Sequence, residues 1–491
     1  MQSGRESRVG SRESKALDPR LPTPDRLYAL LFGLFLGLTI WKFGNPVILD
    51  QKITPPASLS EVWTDAWPTH WINWLLLPLV LAGGWLALAG KRRWLATHRL
   101  WLLPLLWFGW QLLSAKHTVD AFLTTTTLWQ FGGCVSCYFI GALVLGREHG
   151  LRWLLIGVLA AFAFCLVRAV DQRLFEFPES RQMLVEGERT GWTNIPPEML
   201  LEMKHDGTVI TINGVDVANP AILTRVARNR VMGTFVYPNA LAGAILLLLP
   251  VSLALAFNST RQLKPPIRGA VIVMTCLLGG LGLFWSGSKA GWLIAMALAG
   301  IWLFRLNGST RLKWAMLTTV LLIGLAVFAL RFHNYFTAGA TSVGARFDYW
   351  RAAAQTTRDH PLFGTGPGTF QRPYAQIKSP GAEMARLAHN DYLEQFSDSG
   401  IIGGIGYVMW ISLALMTVGQ RAWRGGGYLQ FSLFLGLLGW FAQEFVEFSL
   451  FVPALAWTAF TLLGVLQNNP GNNLSAQSRT PRPNFVNPPK A

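Results

Sequence analysis

The amino-acid sequence predicts an all-α polytopic membrane protein of about twelve transmembrane helices, on three grounds. Of the 491 residues 51% are hydrophobic and only 14% charged, with 22 Trp and 30 Phe, a balance foreign to a soluble multidomain enzyme. The apolar residues gather into runs close to the roughly 20 residues a helix needs to cross a hydrocarbon core about 30 Å thick. The basic residues collect in short loops between those runs, on alternate sides, which is the positive-inside pattern. That placement accounts for the net charge of +16, which in a soluble chain would suggest nucleic acid. No nucleic-acid partner is expected.

Residues 1–26 are polar and carry Arg5, Arg8, Arg12, Lys15, Arg20 and Arg26 against four acids. The stretch is too long and lacks the small-residue cleavage site of a signal peptide, so it reads as a cytoplasmic tail. Residues 27–170 hold helices 1–5, expected at 27–45, 71–90, 100–115, 121–145 and 152–170. Lys91-Arg92-Arg93 and Arg147-Glu148-His149 mark the inner loops. A polar extracytoplasmic insert follows at 171–232. Within it Thr208 to Val217 alternates apolar and polar around Asn213-Gly214, a hairpin signal in a small α and β subdomain. Residues 233–331 hold helices 6–9, expected at 238–257, 269–286, 290–305 and 314–331. The seventh and eighth flank a short outer turn, Ser286-Gly287-Ser288-Lys289. A long extracytoplasmic loop, 332–399, separates helices 9 and 10. Residues 400–467 hold helices 10–12, the last apolar stretch being broken near Glu444 to Ser449. Residues 468–491, rich in Asn and Pro, read as a disordered cytoplasmic tail. The four cysteines all lie in apolar runs. The Cys134-Val-Ser-Cys137 spacing sits among Gly132, Gly133 and Ser136 and reads as helix packing rather than redox chemistry.

The 332–399 loop is where polar chemistry concentrates, with Arg346, Asp348, Arg351, Arg358, Asp359, His360, Arg372, Lys378, Glu383, Arg386 and His389. Its last part, from His389, reads as a short helix: Asp391 and Glu394 suit the positive end of the macrodipole, and Gly400 is a stop. His389 at that helix N-terminus is favoured as a neutral imidazole, able to take a proton. A surface histidine that merely caps a helix fits the spacing equally.

Four stretches converge on the expected outer face. They are Arg230-Val-Met-Gly-Thr-Phe-Val-Tyr-Pro-Asn239, Ser286-Gly-Ser-Lys289-Ala-Gly-Trp, Gly344-Ala-Arg346-Phe-Asp-Tyr-Trp350-Arg351 with His360 to Phe370, and the His389 run. Taken in order, over about 230–465, they resemble the O-antigen ligase and polymerase superfamily of bacterial membrane glycosyltransferases. The pair His389-Asn390, nine residues, then Gly400-x-x-Gly403 is similar to the ligase signature, with Gly404 where the ligases usually have Ser, Thr or Ala. The resemblance implies a GT-C-like membrane fold in the bacterial inner membrane. It implies metal-independent, inverting transfer of a glycan from an undecaprenyl diphosphate carrier to an acceptor hydroxyl, on the periplasmic side. The acceptor would be lipid A core in a ligase of lipopolysaccharide biosynthesis. It would be another lipid-linked glycan in a polysaccharide polymerase, or a protein in a protein-glycan ligase. By the same resemblance Arg346 and His389 match the loop arginine and histidine, Arg230 matches a further recurrent arginine, and Lys289 stands where Arg is common.

The residue chemistry fits that implication. A leaving diphosphate develops negative charge that fixed cations stabilise, and Arg offers a planar fork for phosphate where Lys offers a point charge. Arg346, Lys289 and Arg230 are the candidates for that role, with His389 as base or orienting group. Blander readings stand beside them: Arg346 as an interfacial anchor, Lys289 snorkelling to headgroups, Arg230 paired with an acid of the insert. Gly364-x-Gly-x-Gly368 follows a loop rather than a strand and reads as a tight turn. No D-x-D and no clustered metal-ligand set occurs, and no cofactor is expected. A membrane transporter, the reading from another class, would place charges inside the spans.

Overall fold

The computed structural model describes residues 24–89, 99–146, 148–306, 308–337 and 341–468. The expected terminal tails, but for residues 24–26 and 468, lie outside the described residues, as do the basic run Lys91-Arg92-Arg93 and Arg147. Among the described residues the chain is all-α and polytopic apart from one hairpin. Among the described residues, seven helices are long and apolar enough to cross a membrane. They are Trp71–Ala89, Ala121–Leu145, Gly150–Thr190, Pro238–Ser259, Pro265–Ser286, Thr310–Leu330 and Asp391–Arg424. The other five expected spans fall on helices of 13 to 19 residues: α1 (Pro24–Lys42), α4 (Leu102–Ser114), α12 (Lys289–Arg305), α17 (Tyr428–Gln443) and α18 (Pro453–Asn468).

Helix α18 explains how so short an element holds the bundle. Every residue from Pro453 to Gln467 is buried. It packs against α5 (Ala121–Ile140), α1 and α17, and its Trp457 indole donates to Gln130 O at 3.2 Å. A helix covered on all sides by protein needs no match to the bilayer thickness. Around it, α1 lies along α6 (Glu148–Asp171), α10 (Pro238–Ser259) lies between α11 (Pro265–Ser286) and α17, and α4 packs on α16 (Asp391–Arg424).

The insert grows out of the bundle. The helix through α6 runs on without a break from Gly150 to Thr190, 41 residues. At about 1.5 Å per residue it is roughly twice the thickness of a hydrocarbon core. Its polar end, α7 (Phe177–Thr190), joins α8 (Pro197–His205), strands β1 (Val209–Ile212) and β2 (Val215–Ala218), and α9 (Pro220–Arg228). The strands pair antiparallel, Ile212 opposite Val215, and Asn213 and Gly214 turn them at φ 51° and 81°. The hairpin signal is thus met, and the subdomain buries its own small core of Leu184, Trp192, Met203, Val209 and Ala218.

The 332–399 stretch is less a loop than a set of short helices. α13 (Thr310–Thr337) is followed by α14 (Thr341–Asp359), the glycine turn at 364–368, α15 (Gln371–Ile377) and the first turns of α16. α16 breaks at Ser399 (φ −129°, ψ 16°) and Gly400 (φ 70°, ψ −173°), so its first eight residues form the separate short helix expected there. Gly400 is needed on two counts: its backbone region is closed to L side chains, and a Cβ would strike the Leu362 carbonyl. α4 clamps the break. Gln111 Nε2 donates to Gln395 Oε1 at 3.0 Å and to Ser399 Oγ at 2.9 Å, and the Trp110 indole donates to Ser399 O at 2.9 Å.

Candidate active site

Asn390 caps the short helix, its Oδ1 accepting from Leu393 N–H at 3.0 Å. One turn on, Glu394 reaches back and its Oε2 accepts from Ala388 N–H at 2.8 Å. Between these two bonds His389 is held at φ 51°, the left-handed region that a residue with a side chain enters at a cost. Backbone strain fixed by hydrogen bonds on both sides marks a position where a side chain is being aimed.

The side chain is aimed at Glu447. His389 Nδ1 lies 3.6 Å from Glu447 Oε2, with Phe448 edge-on at 4.7 Å and Tyr349 stacked at 5.9 Å. His389 therefore directly precedes the helix cap, at the N-terminus expected for it, and its ring faces a carboxylate. Burial first, and then Glu383, push the Tyr349 phenol above its usual value. Tyr349 is a neutral wall here, not a base.

Glu447 is the centre of the cluster. It is 2% exposed, in the 444–448 turn between α17 and α18. Its Oε1 accepts from Arg346 Nη2 at 2.7 Å and from Asn239 Nδ2 at 2.6 Å. A buried carboxylate needs such charge-assisted partners. Asn239 in turn accepts from Arg230 Nη2 at 3.0 Å, and Arg230 Nε donates to Ser286 O at 2.7 Å. The chain Arg230–Asn239–Glu447–Arg346 with His389 beside it thus links three of the four residues singled out from sequence. Lys289 opens α12 three residues after Ser286, and its ammonium lies 5.1 Å over the Phe332 ring.

The turn carrying Glu447 is as firmly held as the one carrying His389. Asp391 N–H donates to Glu444 O at 2.9 Å, Asp391 Oδ2 accepts from Leu450 N–H at 2.9 Å, and Tyr407 Oη donates to Glu444 Oε2 at 2.8 Å. Asp391 and Glu394 are fully buried and tied to backbone amides. The Gly364–Gly368 stretch is the tight turn expected. Its glycines all have positive φ, and the Gly368 N–H donates to Asp398 Oδ2 at 2.6 Å. The group that fills this turn of amides is the protein's own Asp398 side chain. No group of three or more His, Cys, Asp or Glu able to hold a metal occurs among the described residues.

Two members of the cluster, Glu447 and Asn239, carried no role in the sequence reading. The available signal was that Glu444 and Glu447 are acids inside an otherwise apolar stretch, 427–467, where an ionisable residue marks function by default.

Residues 274–408 match the O-antigen ligase family. The chain is also 27% identical over 188 residues to an uncharacterised protein of Haemophilus influenzae. That match takes in 33% of this chain and spans about half of the relative, 45% of its length. The family match holds Lys289, Arg346 and His389, while Arg230, Asn239 and Glu447 reach the cluster of Arg346 and His389 from outside it. Residues 274–408 are thus similar to O-antigen ligases, and the match supports the O-antigen ligase/polymerase superfamily.

Proposed function

We propose that the protein is an O-antigen ligase-like, metal-independent inverting glycosyltransferase of the bacterial inner membrane. It moves a glycan from an undecaprenyl diphosphate carrier to an acceptor hydroxyl, of lipid A core or a similar glycan, on the periplasmic side. The observation that carries the reading is the convergence of Arg346 and His389 on one buried carboxylate, Glu447, with Arg230 joined through Asn239. Both phosphate-binding cations and a proton acceptor are what such a transfer needs. The charge parity of the loops supports the outer placement of 171–232 and 332–399, where no nucleotide donor is at hand.

In this reaction the acceptor oxygen attacks the anomeric carbon from the face opposite the diphosphate. The new C–O bond forms as the bond to the diphosphate breaks, and the electron pair leaves on the diphosphate oxygen. The hydroxyl proton passes to His389 Nε2, the ring nitrogen turned away from Glu447. Arg346 and Arg230 offset the charge on the leaving group, with Lys289 adding to the same field. The driving force resides in the lipid diphosphate ester, so neither nucleotide nor metal enters.

The test is turnover of a lipid-linked glycan by purified protein. His389→Ala should lose most turnover and still bind the donor, since the cations hold the diphosphate. Full turnover in His389→Ala would refute the assignment of the base.

A further inference from the structure

Two buried polar atoms of the cluster face each other unsatisfied. His389 Nδ1 and Glu447 Oε2 are each without a hydrogen-bond partner among the described residues, and 3.6 Å separates them. That is beyond the usual range of an N–H···O bond. Leaving two such atoms unpaired costs free energy that a small movement would recover. Something holds the carboxylate back. Its other oxygen, Oε1, is drawn away by Arg346 at 2.7 Å and Asn239 at 2.6 Å.

Arg346 is also the guanidinium that the proposed reaction assigns to the diphosphate. The bond to Glu447 uses one of the five N–H donors of Arg346 and offsets its charge, so Glu447 and a diphosphate compete for the same cation. The turn carrying Glu447 is pinned at Glu444 and Leu450, which leaves the side chain as the part that moves.

We propose that Glu447 is an exchange residue that couples donor binding to activation of the base. In the donor-free state it neutralises Arg346. When a lipid diphosphate takes Arg346, Glu447 is released and closes on His389 Nδ1. It then holds the Nδ1–H tautomer, leaving Nε2 free to accept the hydroxyl proton, and balances the imidazolium that forms. Without donor, Arg346 holds the carboxylate off the ring, so the base is not organised. This coupling rests on the function proposed above. Glu447 touches neither substrate nor reacting atoms, and is a positioning residue.

The exchange makes an unusual demand of Glu447→Gln. The amide keeps the volume, but it no longer competes for Arg346, and its NH2 presented to Nδ1 selects the wrong tautomer. Inorganic pyrophosphate, the headgroup of the donor, should bind the purified variant on the order of tenfold more tightly than the parent, the equivalent of one charge-assisted bond no longer given up. Turnover of lipid-linked glycan should fall by about a hundredfold or more. Glu447→Asp, charged but too short to serve both partners, should fall between. A Glu447→Gln variant that turns over like the parent, or that binds pyrophosphate more weakly, overturns the exchange.

A second measurement needs no variant. Titrating pyrophosphate into parent protein labelled with nitrogen-15 histidine should move the His389 ring resonances toward the Nδ1–H tautomer. An unchanged His389 signal at saturating pyrophosphate also overturns the exchange. The two proposals fail separately. A parent that shows the tautomer shift but transfers no glycan refutes the function, and transfer at full rate by Glu447→Gln refutes only the exchange.

Discussion

Arg346→Ala separates a structural from a catalytic role for the guanidinium. Removing it leaves the carboxylate of Glu447, 2% exposed, with the Asn239 hydrogen bond at 2.6 Å and a histidine nitrogen at 3.6 Å. Breaking a buried pair on one side costs about 3–5 kcal/mol. Arg346 is itself 22% exposed and Asn239 still donates, which sets the expected loss near the lower end, about 3 kcal/mol. The companion is the double variant Arg346→Ala with Glu447→Gln. It removes the uncompensated charge and should recover most of that stability, read as thermal unfolding in detergent. It should recover none of the activity, because no fork remains for the diphosphate; the deficit should stay at about a hundredfold or more. Arg346→Lys should keep the pair with Glu447 and still lose much of the rate, since a point charge cannot replace the fork. A double variant that regains both stability and turnover would show that Arg346 serves only as a counter-ion to Glu447.

Glu394→Ala should loosen the left-handed turn at His389 by removing the acceptor for Ala388 N–H, at about 1–3 kcal/mol, whereas Glu394→Gln keeps an acceptor and most of the turnover. Gly400→Ala should cost on the order of 3 kcal/mol from its φ of 70° and the approach of Leu362, and detergent-solubilised protein should lose its sharp unfolding transition. At Asp50, burial raises the carboxyl, but hydrogen bonds from Thr69 and His70 outweigh it and hold it below the usual value. The stability this lends the 46–70 segment is full above the ordinary carboxylate range and is lost as pH falls through the lowered value, so protease cleavage there should rise only in that acid window. Cysteines placed in 171–232 and in 332–399 of a cysteine-free background should both react with an impermeant label on spheroplasts. Labelling of either only after permeabilisation would overturn the outer placement of the site.

Local features were legible in the sequence and long-range ones were not. Apolar runs, Asn213-Gly214 and the Gly400 stop report on their own neighbourhoods, and the hairpin and the kinked helix follow from them. Spans of 13 to 16 residues such as α4 and α18 depend on what surrounds them: α18 is wrapped by protein, which the length rule for a lipid-facing helix cannot foresee. The cluster itself is tertiary. Asn239 and Glu447 meet across 208 positions, and Arg346 and Glu447 across 101. His389 was found through its motif, but its left-handed backbone comes from Glu394 reaching back over it, and its facing charge comes from another helix turn. The glycine stretch reads as a tight turn from the sequence, and only the fold shows Asp398 accepting from its amide.

The central claim is transfer from a lipid diphosphate without metal or nucleotide. It is tested most directly by incubating purified protein in nanodiscs with an undecaprenyl diphosphate-linked glycan and a hydroxyl acceptor, in EDTA, and following both products by mass spectrometry. The predicted result is one glycosylated acceptor for each undecaprenyl diphosphate released, with the anomeric configuration inverted. Failure to form the new bond, or its formation only when Mg²⁺ or Mn²⁺ is restored, would contradict the account.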